Sequence, residues 1–201
     1  MAEELPFKYV GGDFAIDLVN TIDWTSRGPE SERLQDYERV TRWAEGAGVV
    51  SPRLGAALRR QAQAQPREAE AAYRAVQRAR LVLQRMFAEI AQRRTSPDTV
   101  QDFNRLLGPA LDHLRVVRSG SSLLQLGWED QDRLLTSMLW PVLWSAAKLI
   151  TSEEAAQIRI CASEDCGWMY VDRSRNGLRR WCQMEVCGTR EKTRRRRQGA
   201  V

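Results

Sequence analysis

The chain has 201 residues, 43% hydrophobic and 28% charged, which excludes wholesale disorder and leaves room for one or two cored domains. Its formal charge of +5 is unevenly held: residues 172–201 carry nine Arg and Lys192 against Asp172, Glu185 and Glu191, a net of +7, so residues 1–171 sit at −2. A mildly acidic body with a strongly basic end points to a polyanionic partner, and a single histidine, His113, excludes His-rich metal sites.

Taken in chain order, Asp13 to Trp24 is expected to form an apolar opening helix, followed by a ligand-facing or mobile loop at Thr25-Ser26-Arg27-Gly28-Pro29-Glu30. Apolar residues at Leu34, Tyr37, Val40 and Ala44 have helical spacing, and Gly46 and Gly48 end that helix. Ser51-Pro52 is an N-cap with proline in the first turn, opening a helix to about Ala64. From Pro66 to Arg94, Ala69, Ala72, Tyr73, Val76, Ala79, Leu83, Met86 and Ile90 line one stripe of an amphipathic helix. Ser96-Pro97-Asp98 starts another, which Gly108-Pro109 should break. Arg115 to Leu126 then changes period and predicts a β-hairpin about Ser119-Gly120-Ser121-Ser122. A helix over Glu129 to Ile150, kinked near Pro141, follows, and Thr151-Ser152-Glu153-Glu154 caps a short helix into the cysteine region.

No apolar signal segment is visible at the acidic N-terminus. Leu134 to Ile150, interrupted by Pro141 and Lys148, is shorter than the about 20 residues of a membrane span. A cytoplasmic protein without membrane contact is expected, where four cysteines are thiolate ligands rather than disulfides. Cys161-x4-Cys166 and Cys182-x4-Cys187, fifteen residues apart, suit one tetrahedral structural Zn²⁺ per chain; four Cys ligands close the coordination sphere and leave no open position for hydrolysis. Trp168 to Val171 and Leu178 to Trp181 are expected to pair as strands across a polar turn. The helix from Glu185 would carry Arg190, Arg194 and Arg197 on one stripe. Knuckle, hairpin and helix together predict a treble-clef-like finger.

Cys161 to Arg190, with Gly167-Trp168-Met169-Tyr170-Val171-Asp172-Arg173-Ser174-Arg175-Asn176-Gly177 and Arg179-Arg180-Trp181-Cys182 inside it, resembles the CGNR zinc finger throughout. Thr189 stands where that family usually has Asn. The body, through Val10-Gly11-Gly12, Leu18-Val19-Asn20-Thr21, Asp36-Tyr37 and Trp43-Ala44, resembles the ABATE domain, a family described as stress-induced transcription regulators. The resemblance implies a fold that is mainly α with a small β-hairpin. Residues 1–152 would form a helical regulatory domain and residues 153–201 a four-cysteine finger with a basic terminal helix.

The candidate nucleic-acid contacts are Arg173, Arg175, Asn176, Arg179 and Arg180 on the turn and second strand, with Arg190, Lys192, Arg194, Arg195, Arg196 and Arg197 on the helix. Arg suits phosphate and guanine edges, and Asn suits adenine. Double-stranded DNA is the expected partner and RNA or a ribosome the alternative; a homodimer would match paired half-sites. Asp17, Asn20 and Thr21 are candidates for a pocket that binds a small-molecule or protein effector, or else they tie down the following loop. No P-loop, G-x-G-x-x-G or G-x-S-x-G occurs, so no catalytic residues are assigned and the protein is not expected to be an enzyme.

Overall fold

Ser51-Pro52 and Ser96-Pro97 open two of the helices in the computed structural model, which describes residues 6–25, 28–120 and 123–198. In each the serine hydroxyl accepts an N–H of the first turn, from Leu54 and Thr99 respectively, while proline fills a position that needs no donor. The helices of the body are α1 (Phe14–Val19), α2 (Tyr37–Gly46), α3 (Pro52–Ala64), α4 (Pro66–Ala91), α5 (Pro97–Leu111) and α6 (Leu139–Ile150). The small residues Ala69, Ala72 and Ala79 on the buried stripe of α4 let neighbouring helices approach closely, and Val76, Leu83, Met86 and Phe87 fill the space between. Helix α1 is buried at five of its six positions and packs between α4 and α6. Among the described residues, no helix is long and apolar enough to cross a membrane.

Several expected elements differ in the structure. The opening helix stops at Val19, and Ile22–Thr25 (β1) turns back against Gly28–Glu32 (β2), so most of the expected loop is hairpin; its Ser26 and Arg27 lie outside the described residues. The short helix is stable because Asp13 caps Ala15 N–H and binds Ser145 Oγ at 2.7 Å across to α6. Pro109 does not break α5, which runs on to Leu111. Proline removes one N–H close to the helix end, where little ladder remains to be lost. Finally, α6 begins only at Leu139, so Pro141 lies in its first turn, where proline is tolerated, and there is no kink.

Leu114–Ser119 (β3) and Leu123–Trp128 (β4) form the expected hairpin; Ser121 and Ser122 lie outside the described residues. After a 3₁₀ turn at Glu153–Gln157, Ile158–Ile160 (β5) pairs antiparallel with Met169–Val171 (β6). The segment 178–181 is not a strand. The first cysteine pair sits on the loop joining β5 to β6, so the strand partner of 169–171 precedes the cysteines rather than following them. A π-turn at Met184–Gly188 leads into α7 (Thr189–Gln198).

No seam divides the finger from the body. Ile158, Met169 and Val171 belong to the same apolar core as Ile16, Leu18, Val76 and Leu143. Polar contacts add to this: Val171 N–H donates to Gly11 O at 2.8 Å, and Trp168 Nε1 donates to Ile22 O at 3.1 Å.

Candidate functional site: a four-cysteine centre and its basic surface

Cys161 follows β5 and donates its N–H to Trp168 O at 2.8 Å, which closes the knuckle that presents Cys166. Gly167, just past that knuckle, donates to Trp24 O at 2.7 Å; any Cβ there would stand 2.5 Å from the Cβ of Trp24, so only glycine lets β1 come this close. Cys182 arrives from the opposite side, its N–H directed at Cys161 Sγ at 3.4 Å, and the π-turn delivers Cys187. The Thr189 hydroxyl donates to Met184 O at 3.3 Å and so closes that turn.

All four sulfurs lie within 4.8 Å of one another, and the Cys166–Cys182 and Cys182–Cys187 separations are 3.7 and 3.6 Å. Ligands at about 2.3 Å in a tetrahedron would lie about 3.8 Å apart, so the set fits one zinc ion. Three of the sulfurs' residues are buried and Cys166 is half-buried. The thiols themselves call for a cation. Hydrogen bonds from Cys166 and Cys182 draw Cys161 far toward thiolate; donating those bonds pushes the Cys166 and Cys182 thiols up, and burial and the neighbouring sulfur charge add to it. Trp168, Tyr170 and the half-buried Trp181 pack around them. The four cysteines therefore hold one structural zinc, with no position left for a substrate.

The basic residues divide into two groups. Arg179 is internal: its guanidinium lies 4.1 Å over the Tyr170 ring and donates to the carbonyls of Trp181 and Cys182. Arg173 pairs with Glu154 and donates to Gly12 O at 2.7 Å, clasping finger to body. Arg194 pairs with Glu164 at 2.8 Å and with buried Glu191 at 2.9 Å, and Glu191 also accepts Ser163 Oγ. Arg190 reaches back to Asp165 O at 3.4 Å. Of the expected Arg190–Arg194–Arg197 stripe, Arg194 is thus held against the finger, while Arg190 and Arg197 are exposed. Arg175, Asn176, Arg180, Lys192, Arg195, Arg196 and Arg197 point outward and are exposed.

Asp172 organises the loop that carries the first three of these. Its Oδ1 accepts the Ser174 N–H and hydroxyl at 3.0 and 2.6 Å, and its Oδ2 accepts the Arg179 N–H at 3.0 Å. Burial alone would raise this carboxyl, but those hydrogen bonds outweigh it and hold it below the usual range. The Asp-x-Ser spacing is a readable turn signal, although Asp172 was not among the expected site residues.

Asp17, Asn20 and Thr21 are all buried and act as ties. The Asn20 amide makes two bonds to one residue of β6: Nδ2 donates to Met169 O at 2.8 Å and Oδ1 accepts Met169 N–H at 2.9 Å. Thr21 donates to Leu18 O and accepts Arg80 Nη1 at 2.9 Å, and Arg80 in turn forks onto Glu32 of β2. Asp17 accepts the Gly11 N–H at 2.8 Å and edges only a shallow hollow with Gly12, Asp13, Phe14 and Ser145. Asn20 and Thr21 line none of the described cavities, and their polar atoms are taken up by these ties. The cleft beside the zinc centre is elsewhere, with a volume of about 360 Å³ between Lys8, Asp23, Trp24 and Arg33 of the body and Cys166 and Trp168 of the finger.

Burial lifts the Asp17 carboxyl to about 6, only partly offset by the Gly11 N–H. The folded protein therefore takes up a proton that the unfolded chain has released, and this group's contribution to stability falls as pH rises between about 4 and 6. A rise from 3.8 to about 6 corresponds to roughly 3 kcal/mol. Denaturant titrations of the native chain and of Asp17→Asn across that window should show the variant with a flatter pH dependence; parallel curves would contradict the assignment.

A family model described as "CGNR zinc finger" matches residues 157–199, and one described as "Putative stress-induced transcription regulator", ABATE, matches residues 12–153. Comparison with curated proteins gives no match. The longer of the two family matches spans well over half of the chain, and the finger match follows it. The chain belongs to the ABATE family and carries a CGNR zinc finger after the ABATE domain.

Proposed function

We propose that this protein is a regulator that binds duplex DNA through the outer surface of its finger. The observation that carries the reading is the division of the arginines. Those that hold the finger together are engaged with carboxylates and carbonyls, and a second set, Arg175, Arg180, Lys192, Arg195, Arg196 and Arg197, faces solvent without an acidic partner among the described residues. Exposed, uncompensated guanidinium groups on a rigid loop and a short helix suit phosphate contact, and Asn176 beside Arg175 suits a base edge. The zinc thiolates carry a net −2, which lowers the +5 of residues 161–201 to about +3. The positive field therefore stands on the loop and α7, away from the metal. An effector of the body, small molecule or protein, would reach the finger through the cleft beside Cys166.

Fluorescence anisotropy with a labelled duplex tests this. Neutralising several phosphates gives a steep fall in affinity with salt, with a log–log slope of roughly −4 to −5. Replacing Arg195, Arg196 and Arg197 by Ala should reduce the slope by roughly 2–3 while leaving zinc content unchanged. Absence of salt-dependent duplex binding at low ionic strength, or tighter binding to structured RNA at matched salt, would overturn the reading.

A further inference from the structure

The β3–β4 hairpin projects from the body, and strand alternation defines its two faces. Val116 pairs with Leu126 and Arg118 with Leu124, so these four side chains share a face with Leu114 and Trp128. The root of that face is anchored: His113 stacks on Trp140 of α6 with centroids 3.9 Å apart, and Trp128 lies tilted against the same ring. Farther out nothing covers it. Val116, Leu124 and Leu126 are 66%, 71% and 53% exposed, and no other described element packs along the strands. On the opposite face Val117 folds over Gly127, where a Cβ would stand only 2.8 Å from the valine Cγ2.

A two-stranded ribbon with both faces in water is marginally stable, and solvated strands ordinarily alternate apolar with polar residues. Here branched and long aliphatics occupy the outward face instead, and a contiguous patch of this kind marks an interaction site. We infer that the hairpin is a dimerisation arm and that its partner is the same arm of a second copy, packed face to face about a two-fold axis with the strands antiparallel.

Three features of the arm favour a second copy. Its sequence charge is graded: the root carries Asp112, Glu129, Asp130 and Asp132 against Arg115 and Arg133, while residues 116–126 include Arg118 as their one charged residue. A two-fold axis across the middle of the arm brings each basic tip over the other's acidic root. The Val116–Leu126 pair at the centre then meets its own copy, as an isologous contact requires. The face as a whole, side chains and strand backbone together, offers on the order of 500 Å² per chain, so pairing buries about the 1,000 Å² that a specific interface needs. Phosphate would find only the tip arginine and an acidic root, so nucleic acid is a poor occupant of this face.

Sedimentation of the full zinc-loaded chain should give twice its 23.0 kDa mass at micromolar concentration. The double variant Leu124→Glu, Leu126→Glu should sediment as a monomer with unchanged helical circular dichroism and zinc content, since both side chains are solvent-exposed in the single chain. In the native protein, hydrogen-exchange protection of residues 114–119 and 123–128 should rise with protein concentration, which reads the same interface without a substitution. A native chain that stays monomeric, a variant that stays dimeric, or a dimer whose hairpin amides gain no protection would each overturn the proposal.

Discussion

Zinc withdrawal is expected to unfold the finger and to loosen the helical body with it. An autonomous finger would melt alone, because its metal supplies its folding free energy. Here β6 is shared property: Ile158, Met169 and Val171 lie in the body's core, and Val171 and Gly167 complete backbone bonds to Gly11 and Trp24. Losing those three side chains from the core removes roughly 5 kcal/mol of apolar burial. In a chain of this length that corresponds to a drop of about 10 °C or more in Tm. The measurement is a thermal melt followed by far-ultraviolet circular dichroism, which reports mostly the body's helices, before and after chelation, with metal loss confirmed by mass spectrometry. A helical transition that stays in place after confirmed zinc loss would show that the body does not depend on the finger. Cys187→Ser should reproduce the chelator's effect, because three thiolates leave the site open.

Asn20→Ala is expected to be strongly destabilising. The side chain bridges 149 residues of sequence to satisfy both polar groups of Met169, in a place where Asn20 itself is 2% exposed. Truncation leaves a buried N–H and a buried carbonyl with one partner fewer each, at about 1–3 kcal/mol per group, so a loss of about 2–5 kcal/mol is expected. Asn20→Asp should be worse, because the second carboxylate oxygen would face the Met169 carbonyl in place of a donor. Denaturant unfolding measures both. Asn176→Ala, at an exposed loop position, serves as the control and should fall within about 0.5 kcal/mol of the native chain. An Asn20→Ala protein as stable as that control would remove the clamp from the account.

The two substitutions also separate what each asparagine is for. Asn176 lies in the loop held by Asp172 and should affect duplex affinity and not folding. Asn20 should affect folding and affect affinity only through the fraction folded.

The features that were legible in the sequence are those encoded within a few residues. Ser51-Pro52 and Ser96-Pro97 announced helix starts because capping is a contact over three residues. The cysteine pairs announced a metal because each is a six-residue bend, and the hairpin at 114–128 was visible as a change of period. The misjudged boundaries were those at which a local rule met tertiary packing: Pro109 and Pro141 are tolerated because each lies near a helix end, and β1 could form because β2 folds back on it and Arg80 of α4 grips Glu32.

Charge shows the division most clearly. The amino-acid sequence by itself determined that the positive excess belongs to the cysteine module, since counting residues needs no fold. Only the tertiary structure decided which of those cations are available. Arg173, Arg179 and Arg194 are drawn into partners at Glu154, Tyr170 and Glu164, far from them in sequence or around a helix, while Arg175, Arg180 and Arg195 to Arg197 are left facing water. The same holds for Asn20, whose polar type was visible and whose partner was not. A side chain's role depends on what the fold brings within 3 Å of it, and that distance is set by packing across the whole chain.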